Sequence, residues 1–250
     1  MIAAGSLEYA QARIWARHGQ RPDEGWWRRI ETTREPAALL EQLRATPLAA
    51  WLAGVGPMAD MHVIELAMRR HWRERVAEIV AWMPPAWSPA LAWCAVLVDL
   101  PALQHLARGG AALPWMADDP TLRGLDDDAV RHADALRSLL DAARHDPQCL
   151  LPLWRRAWQQ RLPRGAPGRA GVQRLLPLLE DHAAAFGAPA AVDGWALRRR
   201  LQERLILLLR RSLGEPVTAF VYLALSALDF ERVRGELQRR VAFPNRSPAP

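Results

Sequence analysis

Lysine is absent from this chain of 250 residues: all 33 basic side chains are arginine. That excludes a phosphate-loop lysine and any lysine Schiff base. The glycine patterns G-x-x-x-x-G-K-[ST] and G-x-G-x-x-G are missing as well, so no familiar loop offers to cradle a nucleotide. Cysteine is scarce: Cys94 and Cys149 stand far apart with no C-x-x-C spacing, which points to reduced core residues and away from zinc or redox chemistry. Alternating β-branched runs and Asn-Gly or Asp-Gly turns are lacking, so strands are not expected. The longest uncharged run free of proline, residues 217–228, is too short to cross a bilayer. The N-terminus lacks the basic-then-apolar order of a signal peptide. The expectation is a cytoplasmic chain, able to sit against a membrane complex.

What is present is apolar and arginine-rich. Half the residues are hydrophobic, enough for a substantial core. Twelve tryptophans dominate the aromatics, and their helical spacing among Leu and Ala makes packing their default role. A net charge of +6 and a sequence pI of 10.6 suit an acidic partner: nucleic acid, anionic lipid or an acidic protein surface.

Helix signals run throughout. Expected helices cover residues 6–18 (capped by Ser6), a second from Pro22, a third capped by Thr33, a short turn from Thr46-Pro47, and 60–83. Beyond Pro84-Pro85 come segments from Pro89 and Asp99, then 126–145 behind the acidic run Asp126-Asp127-Asp128. Helices at 150–162, 172–186, 193–213, 215–227 and 229–243 complete the chain, with 163–171 as a candidate hinge and 245–250 as a disordered tail. The 60–83 helix draws most notice. Met61, Ile64, Met68, Trp72, Val76, Ile79 and Met83 form one apolar stripe, Asp60 is placed to cap it, and its length is about 35 Å. Arg69, Arg70 and Arg73 occupy its other faces. Three times a short apolar helix leads through an aromatic (Trp51, Trp115, Phe186) to an Asp (Asp60, Asp126, Asp193) that opens a long helix. Helical hairpins in a Leu- and Ala-rich chain can also look alike by chance.

No catalytic constellation can be assembled. The pairs His62/Glu65 and Asp128/His132 share helix faces, but the repeated Glu-x-x-His of a helical di-metal site is missing. No metal, cofactor or catalytic residue is therefore expected. The arginine pairs at 28–29, 69–70, 155–156, 210–211 and 239–240, with the triplet 198–200, are spread over several helices, whereas nucleic-acid binding calls for one unbroken basic face.

Two stretches resemble the V-type and archaeal A-type ATPase subunit d/C family. The first is Tyr9-Ala10-Gln11-Ala12-Arg13, then Leu39-Leu40, Leu43, Thr46-Pro47-Leu48 and Trp51-Leu52, then the helix with Ile64-Glu65. The second begins at Trp195 and passes Glu215-Pro216, Val221-Tyr222, Asp229-Phe230-Glu231 and Val233-Arg234 to Phe243-Pro244. The chain departs from the family by being shorter, and by carrying Ser226-Ala227-Leu228 where a Lys-Glu pair often stands. The resemblance implies an all-α funnel of three helical-bundle lobes (about 1–86, 87–165 and 166–244, one domain over 1–244). It also implies a non-catalytic subunit at the cytoplasmic face of the membrane, coupling the central shaft of a rotary ATPase to its rotor ring during proton or sodium transport, without contacting nucleotide. Arg69, Arg70 and Arg73 are then candidate protein-interface residues. The alternative reading is a stand-alone basic helical protein that binds nucleic acid or an acidic protein.

Overall fold

The computed structural model describes residues 5–125, 133–187 and 193–242, and these form an all-α protein with no strand among them. The helices are α1 (Leu7–Gly19), α2 (Glu24–Glu31), α3 (Pro36–Arg44), α4 (Met61–Trp82), α5 (Ser88–Trp93), α6 (Leu100–Ala107), α7 (Pro114–Asp118), α8 (Ala133–His145), α9 (Leu150–Arg161), α10 (Arg169–Gly187), α11 (Gly194–Arg211) and α12 (Val217–Ala242), linked in places by single 3₁₀ turns. Capping explains several starts. Ser6 accepts from Tyr9 N, Asp60 from Val63 N at 2.8 Å, and Asp193 from Trp195 N at 2.9 Å, each satisfying an orphan donor where the dipole favours negative charge.

Local chemistry moves other boundaries. Asp23, one residue beyond the expected Pro22, caps α2. The third helix begins on Pro36 behind Glu35 with no side-chain cap; Thr33 instead donates its hydroxyl to Gln42. The two final helices expected at 215–227 and 229–243 are one, α12, described to Ala242. Asp229 cannot act as a cap, because its carboxylate takes a forked pair of hydrogen bonds from Arg21 at 2.6 and 2.8 Å. The acidic run 126–128, the Asp128/His132 pair, the closing Phe243-Pro244 and the tail lie outside the described residues.

The chain divides into two compact units, each discontinuous in sequence. The first comprises Met1–Arg21, Val76–Leu91 and Leu162–Val233, and the second Pro22–Arg75, Ala92–Arg161 and Arg234–Pro250. Three of the divisions fall inside α4, α5 and α12, and the others lie near residues 21 and 161. In the first unit Ile14, Val76, Ile79, Leu205, Leu209 and Val221 are buried to 1% or less, α10 packs along α11, and Trp87 meets Phe220 edge-on. The expected hinge loop is pinned at both ends. Arg169 donates to the carbonyls of Leu162 and Pro163, and Gly168 (φ +87°) lies so near Pro216 that a Cβ would come within 2.4 Å of its ring.

In the second unit Leu39, Leu43, Met68, Trp93, Leu103 and Trp115 are buried. Trp72 donates its indole N–H to Cys94 O, and Trp93 and Trp154 exchange indole-to-carbonyl bonds at 3.0 and 3.2 Å. Eight of the twelve tryptophans are buried, which makes most of them packing residues. Among the described residues no single helix is long and apolar enough to cross a membrane. The bent pair Pro85–Val98 and Leu100–Ala107 reaches that composition jointly, but its Trp87, Ala90, Leu91, Ala102 and Leu103 are buried in the protein.

Candidate functional site

The densest polar cluster among the described residues lies in the second unit, on a line of α4 that flanks its Met and Ile stripe. Glu65, Arg69 and Arg73 follow at intervals of four, so they stack on one line of the helix. Arg69 is 1% exposed. Its Nε donates to Asp119 Oδ2 at 3.0 Å, Nη1 to Val98 O at 2.7 Å and Nη2 to Asp99 Oδ1 at 2.5 Å. The guanidinium carbon lies 4.4 Å from the centre of the Trp115 ring, an attractive cation–π placement. Arg73 bridges the same two carboxylates, 2.6 Å from Asp99 Oδ1 and 3.0 Å from Asp119 Oδ2. Asp119 also accepts from Thr121 N at 2.9 Å.

Glu65 closes the cluster: it lies 3.5 Å from Arg69 and 3.7 Å from Arg234, and accepts from Gln238 Nε2 at 3.3 Å. Three carboxylates (Glu65, Asp99, Asp119) therefore face three guanidiniums (Arg69, Arg73, Arg234). Burial pushes the Asp119 carboxyl upward, but the charge and hydrogen bond of Arg73, the Thr121 N–H and the Arg69 charge outweigh it, leaving the group below its ordinary value. Asp99 is raised, burial there exceeding the pull of Arg73 and Arg69. Three carboxylates matched to three guanidiniums, with Arg69, Asp99 and Asp119 buried, give the cluster the chemistry of a cross-link: it ties α4 to the start of α6, the end of α7 and the last turns of α12.

The three candidate interface residues Arg69, Arg70 and Arg73 are placed differently from one another. Arg69 does not face solvent and is spent on internal partners; Arg73 keeps 20% of its side chain exposed and is spent likewise. The physical reason is that Asp99 and Asp119 enter the core and require guanidinium partners. Of the three, Arg70 alone is exposed, donating to Ala53 O at 2.9 Å. The signal for the missed partners is Asp99 itself, a charge inside the apolar run Val96-Leu97-Val98-Asp99-Leu100, which a core accepts only when paired.

The other candidate residues do not converge. Glu65 is committed to arginines, so His62/Glu65 is not a ligand pair, and among the described residues no group of three His, Cys, Asp or Glu side chains could hold a metal ion. Burial pushes the Cys94 thiol up to about 12, a hydrogen bond with Trp158 opposing, so it remains a thiol at neutral pH.

A second charge-locked junction lies in the first unit, where Arg21 forks onto Asp229 with both side chains about nine-tenths buried. Beside it, burial lowers the His18 imidazole below its usual 6.5, the Arg21 and Arg210 charges add to this, and Asp229 opposes. His182 is lowered by burial and by Arg198. Both imidazoles bind a proton less readily in the folded chain than in the unfolded one. Between 6.5 and the lower folded value the unfolded chain therefore holds more protons, and stability falls as pH falls through that window. Thermal melts from about pH 8 down to about pH 5 should show this decline, and the double variant H18F/H182F, which keeps both ring contacts, should flatten it.

No protein-family profile, no curated protein and no solved structure matches the chain.

Proposed function

We propose that this chain is a non-catalytic coupling subunit of a V/A-type rotary ATPase, standing at the cytoplasmic face of the membrane between the central shaft and the rotor ring. The observation that carries the reading is the meeting of the two resembling stretches. Glu65 of the first lies against Arg234 and Gln238 of the second, and Arg21, just beyond the first helix, forks onto Asp229. Glu65 and Arg234, which carry the family likeness at opposite ends of the sequence, are thus structural partners. A body that passes torque needs helices that do not slide, and buried charge pairs with directional bonds resist sliding better than apolar contact alone. The three-lobed funnel, the absence of catalysis and the peripheral position belong to the same proposal.

The test is affinity purification of the tagged chain from solubilised membranes of its native cells. Rotor-ring and catalytic subunits should be recovered with it in constant proportion. Their absence, or recovery of nucleic acid in their place, overturns the reading.

A further inference from the structure

The α2–α3 corner of the second unit holds a shallow depression open to solvent. Arg28 and Arg29 line one part of it, Trp26 supplies apolar wall, and Thr33 and Gln42 complete the rim. No carboxylate lines it. Both arginines are exposed, whereas Arg69, Arg73 and Arg240 elsewhere in this unit have carboxylates bound to them. Position in the last turn of α2 suits Arg28 and Arg29 to the helix dipole, a role that leaves their guanidinium ends on offer. Thr33 donates its hydroxyl to Gln42 Oε1 at 3.1 Å, which leaves the amide nitrogen of Gln42 as a further donor.

The corner is braced from beneath. Arg240, 4% exposed, donates to Thr33 O at 2.7 Å and Ile30 O at 2.8 Å, and its own charge is met by Glu236. Trp27 and Ile30 anchor α2 in the core, and Trp26 stands edge-on to Trp27 with ring centres 5.0 Å apart. A braced rim loses little freedom when it binds.

We propose that this depression is a docking site for an acidic segment of a partner protein, two carboxylates meeting Arg28 and Arg29 while an apolar side chain lies against Trp26. Guanidinium forks recognise carboxylates bidentately. Two guanidiniums beside an apolar wall differ from the long basic stripe that tracks a phosphate backbone.

The probe is a short fluorescein-labelled peptide alternating Glu and Leu, followed by anisotropy on the purified full chain. Its Gln-for-Glu counterpart and a labelled oligothymidine serve as comparisons. The Glu peptide should bind, and R28Q/R29Q should weaken it about tenfold or more, equal to about 1.4 kcal/mol per decade. R210Q/R211Q removes the same charge from exposed positions on α11 and should leave affinity unchanged. Both pairs lie at the surface, and circular dichroism verifies that each variant is folded. Any one of four results overturns the proposal: no binding of the Glu peptide, equal binding of the Gln peptide, equal weakening by both variants, or tighter binding of oligothymidine. Because the isolated chain is used, the outcome stands apart from whether motor subunits co-purify.

Discussion

Replacing Arg69 with alanine should lower the unfolding free energy by about 3–5 kcal/mol, the range for breaking a buried ion pair by removing one partner. Three directional bonds disappear at once, to Asp119, Val98 O and Asp99. Asp99 and Asp119, 1% and 0% exposed, are left to share Arg73, and the Trp115 ring loses the cation stacked on it. The stranded carboxylates cost more than the lost attraction, because neither can reach water. Urea unfolding of R69A should show a lower midpoint with an unchanged slope. The neighbouring R70A, which removes an exposed side chain, should fall within about 0.5 kcal/mol of the parent. The deficit of R69A should also shrink in acid. A buried carboxylate that has lost its partner has a raised folded pKa, so the penalty is fully present above that value and recedes as pH falls through it. Equal effects of R69A and R70A would mean that the cluster contributes no more than surface pairs do.

How far this cluster could be read from the sequence depends on which interactions are local. Caps act over two or three residues, so Ser6, Asp60 and Asp193 announce their helices, and the apolar stripe of α4 is visible from spacing alone. The flank of that stripe is ambiguous, because an arginine at four-residue spacing suits solvent and core equally well. What decides Arg69 is a pair of aspartates 30 and 50 residues away, and no periodicity carries that distance. Asp229 illustrates the same limit. An Asp ahead of a helical segment reads as a cap, and only the fold brings Arg21, 208 residues distant, to claim its carboxylate and let α12 run through. The division into two units is hidden for a related reason: three of the divisions fall within α4, α5 and α12, which no loop residue marks.

Apart from R69A, the largest expected effect belongs to the functional proposal. If the chain couples shaft to ring, its loss should leave ATP hydrolysis at the catalytic subunits largely intact and abolish the ion transport that hydrolysis drives. The asymmetry is the diagnostic part. A catalytic subunit would take hydrolysis with it, and an accessory nucleic-acid binder would alter neither activity. Stiffness enters here too, since a body that transmits rotation must hold its internal register under load. The buried pairs around Arg69 and Asp229 are the features of this chain suited to that task. A folded but weakened R69A protein should accordingly restore transport less completely than the parent.

The most direct measurement uses membrane vesicles prepared from native cells with and without the chain, with ATP hydrolysis and ATP-driven ion uptake recorded on the same preparation. The account predicts that vesicles lacking the chain hydrolyse ATP without uptake, and that adding back the purified protein restores uptake. Uptake that persists at the parental level in vesicles lacking the chain would contradict it.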